Sequence, residues 1–509
     1  MNTNKNKNSL LNAVTAMGLT FTNGLFGIVV TRFIIGCFGS DFNGLNSTAN
    51  QIVNVLMIIE GGFTLASNVA LFAPLSDNDY TTVNGILSAT KKKFKKISLI
   101  FLAVGLVAAA VYAFIANSSL PREFIGTLIV MTVIPAAFNL FYATTYRVLL
   151  QSQQREYIIN IITICTIGLG HISNIIMISL GGPMWAVRFI TMVFALLNSL
   201  LIAGYVKKKV PFINLKEEPK NELIVGTRDV MIQKITGVIY NSAPIVFLSI
   251  SPAGGTALAS VYAVYNNVFI MLKSLLHGII DAPRLSFGQM LTERKKEDVW
   301  NTFAQYEYAA FTAIYVLLTT CCALILPFIA LYTDGITDID YYDMTIAILM
   351  VLITVMEMLH IPSGHLINMS GNFKVSKNFQ LIACTVLIIG MIIGGYFFGV
   401  YGMLGAVLLV AVLLSILEMG YIHLFFFEKK LLSLLKLILP FFIAGVLICF
   451  AELQLPVEIN SYFKFIIYGV IFAAINGISA LIIGFIFNRK VLTGLIKRAL
   501  KLIKLIIKR

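Results

Sequence analysis

Apolar and polar positions alternate along this chain on a coarse scale, with long runs of Leu, Ile, Val, Phe, Ala and Gly separated by short polar gaps. A bilayer core requires about 20 apolar residues per helix. About fourteen runs meet or approach that length: 10–37, 44–73, 97–117, 125–150, 158–180, 185–206, 230–250, 257–283, 306–332, 344–367, 379–399, 402–427, 437–451 and 464–487. The pattern predicts an all-α polytopic membrane protein. The first run is longer than a signal-peptide core and lacks a small-residue cleavage site, so it reads as a retained helix.

The longest polar stretch, 207–229, falls after the sixth run. It predicts an N-terminal six-helix lobe (1–206), a cytoplasmic linker (207–229), a second six-helix lobe (230–427), a terminal helix pair (428–487) and a tail (488–509). A shift of 213 residues lays Asn54 on Asn267, Glu60 on Lys273 and Asn68 on Asp281. This suggests a parallel repeat about a membrane-normal axis, hence two pseudo-symmetric lobes. In the tail, Lys497, Lys501, Lys504 and Lys508 recur at helical spacing beside an apolar face of Leu492, Leu495, Ala499, Leu502 and Ile506. Such a basic amphipathic helix lies on an anionic cytoplasmic leaflet.

Composition then narrows the class. The 509 residues are 58% hydrophobic and only 12% charged, which excludes an ordinary soluble globular protein. The net charge of +14 raises the question of nucleic acid. Where the positives sit answers it. They cluster at every second connection: Lys5 and Lys7; Lys91, Lys92, Lys93, Lys95 and Lys96; Arg147 and Arg155; Lys207, Lys208, Lys209, Lys216, Lys220 and Arg228; Arg284, Arg294, Lys295 and Lys296; Lys374 and Lys377; Lys429, Lys430 and Lys436; and the tail. The opposite side holds Arg122 and Lys464, with an acidic loop of Asp334, Asp338, Asp340 and Asp343. By the positive-inside rule both termini are cytoplasmic and the number of spans is even. The charge sets orientation, and no nucleic-acid partner is expected.

The six cysteines form no C-x-x-C pair and no cluster with histidine, so neither a metal site nor a redox motif is indicated, and they read as small apolar residues. No P-loop pattern is present, and the outside loops near 333–343 and 452–463 are short for sugar-transfer chemistry. The chain is read as a non-enzyme without a cofactor.

Ionisable side chains inside a span are costly and normally face protein or water. Here they are numerous: Arg32, Glu60, His171, Arg188, Lys234, Lys273, His277, Asp281, Glu357, His360, His365, Glu418 and His423. Together they argue for a hydrated path and for transport. Arg32, Arg188 and Lys234 lie near helix ends, where long stems snorkel. Glu60 and Lys273 fall near mid-bilayer, and under the 213-residue repeat they face each other as an ion pair or substrate clamp. Asp281, Glu357 and Glu418 are candidates for exchanging protons or holding Na⁺. Pro135, Pro244, Pro283 and Pro362 can break helices beside a cavity.

Two stretches carry a family resemblance. Thr31-Arg32-Phe33 precedes Phe38-Gly39-Ser40-Asp41-Phe42-Asn43-Gly44-Leu45, followed by Glu60-Gly61-Gly62, Ala73-Pro74-Leu75 and Asp77-Asn78-Asp79. Later come Arg228-Asp229-Val230, Lys234-Ile235, Val261-Tyr262-Ala263-Val264-Tyr265-Asn266, Pro283, Gly288 and Tyr306-Glu307. These resemble the polysaccharide and O-antigen flippases of the multidrug/oligosaccharidyl-lipid/polysaccharide exporter superfamily. The resemblance implies 12 or 14 helices in two six-helix lobes, an alternating-access cavity and a bacterial cytoplasmic membrane. The implied cargo is an undecaprenyl-diphosphate-linked oligosaccharide, carried to the outer leaflet. It further implies coupling to H⁺ or Na⁺ and work beside polysaccharide polymerase and glycosyltransferases. Arg32, Arg188, Lys234 and Lys273 would neutralise the diphosphate; Tyr262, Tyr265, Asn266 and Asn267 would stack on and hydrogen-bond sugars. The rival on the same fold is an H⁺- or Na⁺-coupled exporter of drugs or organic cations, which would want an acidic cavity. A membrane glycosyltransferase or polymerase is opposed by the short outside loops.

Overall fold

A computed structural model describes residues 2–60, 62–224, 228–252, 254–281, 283–293, 295–455, 457–495 and 497. Gly61 and Arg294, and Ala499, Lys501, Leu502, Lys504, Ile506 and Lys508 of the basic tail, lie outside the described residues. The described residues are helical almost throughout. In chain order the helices are α1 (Asn2–Leu56), α2 (Phe63–Ser76), α3 (Tyr80–Ile115), α4 (Arg122–Phe138), α5 (Thr144–Ser152), α6 (Glu156–Ser179), α7 (Met184–Lys209), α8 (Arg228–Ile250), α9 (Gly255–Ile280), α10 (Arg284–Glu293), α11 (Lys296–Tyr332), α12 (Met344–Leu359), α13 (Ile361–Met369), α14 (Phe373–Gly420), α15 (Leu431–Leu453) and α16 (Tyr462–Phe487). Among the described residues, eleven helices are long and apolar enough to cross a membrane. The chain is a multi-pass membrane protein.

Every apolar run has a helical counterpart, but helix lengths depart from run lengths for physical reasons. The run at 97–117 becomes α3, which begins at Tyr80 and carries Lys91 to Lys96 on its fourth and fifth turns. The run at 306–332 becomes α11, which begins at Lys296. Charged residues outside the hydrocarbon do not break a helix, whereas hydropathy registers only the part that matches the bilayer. Asp79 caps α3, accepting a hydrogen bond from the Thr82 amide at 3.0 Å. The Thr82 hydrogen bonds hold its carboxyl below the ordinary aspartate range.

Glycine breaks the two longest rods. In α1 the backbone turns at Gly39, with φ 83°, and in α14 at Gly399, with φ 57°. A positive φ is strained for residues with a Cβ and open to glycine, so each rod is two helices meeting at a glycine. A further break follows α1: a 3₁₀ turn over Met57–Glu60 leads to Gly62, at φ 74°, before α2. Two π-helical segments, Asn139–Ala143 between α4 and α5 and Tyr421–Phe426 after α14, re-aim the side chains that follow them.

By packing, the chain divides into two compact units: Met1–Asn267 with Ile336–Ile339, and Val268–Gly335 with Asp340–Arg509. The division falls within α9, so the first unit holds α8 as well as α1 to α7. The core of the first unit is built on Phe42, Leu45, Leu71, Ile86, Phe94 and Phe101, all essentially buried. In the second, Tyr308, Phe311, Ile314 and Leu318 of α11 meet Leu437 and Phe441 of α15 and Ala480 of α16. Apolar side chains also cover outward faces, such as Ile466, Val470, Ile478 and Phe485 of α16, as a lipid solvent permits. The described part of 207–229 packs closely on the first unit. Phe212 stacks on Tyr80 at 4.4 Å, the Phe212 carbonyl accepts from Asn84 at 2.8 Å, and the Lys220 amide donates to the Gly85 carbonyl at 3.2 Å.

Candidate functional site

Within the first unit, α6 and α7 run against each other and present polar side chains to a common space. Small hydroxyl and amide side chains at one-turn intervals line a helix face that a lipid-facing helix would fill with Leu or Ile. On α6 these are Thr163, Thr166, His171 and Asn174; on α7 they are Arg188, Thr191, Asn198 and Ser199. With Asn23 and Asn50 of α1, Thr132 of α4, Asn139 and Arg147 they enclose a cavity of about 430 Å³. Among the described residues, no Asp or Glu lines it.

Its two arginines sit at different levels. Arg147 donates to Asn198 Oδ1 at 2.5 Å, and Asn198 donates in turn to Thr163 at 3.1 Å and Thr166 at 2.8 Å. Arg188 lies ten residues earlier on α7, about 15 Å of helix rise away. It is 4% exposed and donates through its guanidinium to the Asn46 carbonyl. The charge pattern places Arg147 in a cytoplasmic connection, and in the structure it lies on α5. The π-helical segment Asn139–Ala143 leads into α5, whose Arg147 lines the cavity. The sequence signal for it was the Pro135-to-Asn139 break.

The predicted pairing of Glu60 with Lys273 is also corrected, because each finds its partner inside its own unit. Glu60 ends the 3₁₀ turn, where α8 packs alongside, and its Oε2 accepts from Lys234 Nζ at 2.7 Å. Its Oε1 accepts from the Thr64 amide at 2.7 Å. Lys234 is half exposed and Glu60 is buried. Lys273 donates to Glu357 at 3.1 Å. Both lysines therefore have their charge answered by a carboxylate.

The second unit gathers the remaining titratable groups. Lys273 and His277 share one face of α9, and Asp281 follows at the same four-residue spacing just past its end. His277 Nδ1 stands 3.3 Å from the Asp281 carboxylate, and His365 Nε2 stands 3.4 Å from it. His360 Nδ1 meets Glu418 at 2.9 Å. Gly364 allows that approach, since a Cβ there would overlap the Glu418 carboxylate. Thus the candidates Asp281, Glu357 and Glu418 each sit against a basic group. Sequence reading missed one pair outright: Glu307 and His423, both fully buried, meet at 2.9 Å beside the Trp300 ring. No group of three or more metal-ligating side chains occurs among the described residues.

The aromatic candidates are less open. Tyr265 is fully enclosed and Tyr262 nearly so, while Asn266 and Asn267 are half-buried. In this conformation neither ring offers a face to a cargo. Arg32 is half-buried on α1. The cysteines are free; Cys321 is buried, while Cys37 and Cys165 are exposed on helix faces.

Solved structures share this fold. A multidrug resistance MATE family transporter of the MOP superfamily, in its inward-facing conformation, matches with a TM-score of 0.66 at 12% identity, over 87% of this chain and 100% of its own. The lipid II flippase MurJ, in an inward closed conformation, matches with a TM-score of 0.66 at 15% identity, over 95% of this chain and 100% of its own. A MATE structure in the bent conformation matches with a TM-score of 0.58 at 12% identity, over 82% of this chain and 94% of its own. No protein-family model and no curated protein sequence matches the chain.

Proposed function

We propose that this protein is a flippase that moves a polyprenyl-diphosphate-linked oligosaccharide from the cytoplasmic to the outer leaflet of a bacterial cytoplasmic membrane by alternating access, for surface polysaccharide assembly. The observation that carries the reading is the cavity of the first unit, whose fixed charges are Arg147 and Arg188, with no carboxylate among the described residues that line it. A cation exporter wants the opposite lining, because an organic cation loses its hydration and needs a carboxylate in return. A diphosphate wants guanidinium groups, which bind oxyanions through charge-assisted hydrogen bonds. The fold shared with a lipid II flippase over 95% of the chain supports the same reading.

We assign cargo contact to Arg32, Arg188, Lys234 and Lys273, with Tyr262, Tyr265, Asn266 and Asn267 as sugar-facing groups exposed in another state of the cycle. Lys234 and Lys273 would act by exchanging Glu60 and Glu357 for the cargo. Counting each glycine-broken rod as two spans and adding Arg228–Ile250 gives fourteen, with both termini inside. Deletion of the gene tests the function. The expected result is loss of surface polysaccharide with accumulation of the lipid-linked repeat unit, restored by the wild-type gene and poorly by Arg188→Ala. Normal surface glycan in a strain with no second copy would overturn it.

A further inference from the structure

Four carboxylates are buried among the described residues: Glu60, Glu307, Glu418 and Glu452. The first three meet a base each, Lys234, His423 and His360 respectively. Among the described residues, no lysine, arginine or histidine pairs with Glu452. Sequence reading sets Glu452 in an outside loop at 452–463, whereas the structure puts it in the last turn of α15, 7% exposed. Its partner is Asn476, fully buried near the midpoint of α16, a helix long and apolar enough to cross a membrane. A carboxylate buried there keeps its charge only beside a counter-charge. The carbonyl end of α15 makes matters worse, since it adds negative potential at Glu452.

The hydrogen bonds around the pair specify what is missing. Asn476 Nδ2 donates to Glu452 Oε1 at 3.1 Å and to Thr320 Oγ1 of α11 at 3.0 Å, so both its protons are used. Glu452 Oε2 and Asn476 Oδ1 are buried without a partner. Both are acceptors, so neither satisfies the other as they stand. One proton on Oε2 answers both, because an acid and an amide pair through two bonds, N–H to one carboxyl oxygen and O–H to the amide oxygen. The same proton removes the uncompensated charge. A metal ion asks for a cage of oxygen ligands, and two open side-chain oxygens do not make one. The titratable groups facing Glu452 are Tyr315 and Cys322 of α11 and Cys449 of α15. A phenol and two thiols supply no positive charge. Lys464 of α16 lies twelve residues from Asn476, about 18 Å of helix rise away. The π-helical segment that also touches α15 carries His423, which Glu307 holds.

We propose that Glu452 is a proton-binding site in the terminal helix pair, a neutral carboxylic acid closed onto Asn476 by two hydrogen bonds. Hydronium gives its proton to Oε2 and leaves as water, with no change of oxidation state. The site is separate from Asp281, Glu357 and Glu418, each of which sits against a basic group. It holds whether or not the chain moves a lipid-linked cargo. The site gives α15 and α16 a chemistry of their own: the bound proton ties them together and, through Thr320, to α11. Loss of the proton leaves a bare charge at that junction and loosens it.

The test uses the full-length protein in detergent, with pH-difference infrared spectra of wild type and Glu452→Gln recorded in sodium chloride and in choline chloride. At pH 6 wild type should show the carbonyl band of a protonated carboxylic acid that Glu452→Gln lacks. Asn476→Ala leaves Glu452 in place and should shift that band, because it removes the hydrogen-bond acceptor of the acid. Thermal unfolding is the second readout. Glutamine makes the same two bonds as the neutral acid, so Glu452→Gln should unfold at the wild-type temperature or above it. Raising the pH should lower the wild-type unfolding temperature relative to Glu452→Gln, because the unfolded chain releases this proton at lower pH than the folded one. Spectra in which Glu452→Gln loses no acid band overturn the proposal. So does Glu452-dependent stabilisation by sodium over choline, which makes the ligand a metal ion. Normal surface glycan on gene deletion, with the acid band present in the protein, keeps this site and removes the flippase reading.

Discussion

Single residues decide how charge is tolerated inside this protein. Glu60 is buried and has two partners, the Lys234 ammonium and the Thr64 amide. Lys234 is half exposed, so water takes over much of its solvation when Glu60 is lost. The asymmetry predicts that Lys234→Ala is more damaging than Glu60→Gln, since it strands a buried carboxylate. The double variant should then be better than the sum of the singles by about 1 kcal/mol. Thermal unfolding of the detergent-solubilised variants measures this, and strict additivity would contradict the pair. Glu307 and His423 lack even that exposure. His423→Ala should cost about 3 kcal/mol, as breaking a buried pair from one side does, and Glu307→Gln in the same background should recover part of it. Residue types were legible in the sequence here, while partners were not. Glu60, Lys273, Glu357 and Glu418 stand out as charges within apolar runs. Which lysine meets which carboxylate depends on a 3₁₀ turn and on helix neighbours that hydropathy does not encode.

Elements show a similar division between pattern and packing. Each apolar run has a helical counterpart among the described residues, because bilayer thickness imposes a length that hydropathy registers. The runs could not show that α3 and α11 begin well before their apolar parts, since those polar turns lie outside the apolar signal. Nor did they reveal Gly44 as a packing residue. A Cβ at Gly44 would collide with the backbone carbonyl of Thr256 on α9, and Asn43 beside it donates to Ser260 at 2.7 Å. The contact is backbone against helix, so neither side can yield by changing a rotamer. Gly44→Ala is expected to destabilise the protein by about 2 kcal/mol, in the range for overpacking. Gly405→Ala, in α14 with nothing within 4 Å of the added carbon, should lose nothing. A Gly44→Ala protein with wild-type thermal stability would mean that α1 and α9 do not approach so closely.

At the scale of the whole molecule, orientation is the property on which a flippase reading turns, because cargo made on one side must leave on the other. The charge pattern predicts it: Lys91 to Lys96 on one side, and Asp334, Asp338, Asp340 and Asp343 on the other. Successive spans alternate, so an error of one span anywhere before α11 would put the acidic loop beside the lysines, on the side the rule reserves for positive charge. Single cysteines test it directly. In a protein with its six native cysteines replaced, Asp334→Cys and Lys92→Cys each place a thiol at an exposed position. A membrane-impermeant thiol reagent applied to intact spheroplasts should label Asp334→Cys and leave Lys92→Cys untouched until the membrane is permeabilised. The native Cys37 is exposed close to the Gly39 turn, so its removal is essential to a clean result. The opposite labelling would invert the molecule, putting the basic cluster of α3 outside and the acidic loop in the cytoplasm. Export would then have to begin from the face that carries Asp334, and the assignment of a cytoplasmically made diphosphate cargo would fail with it.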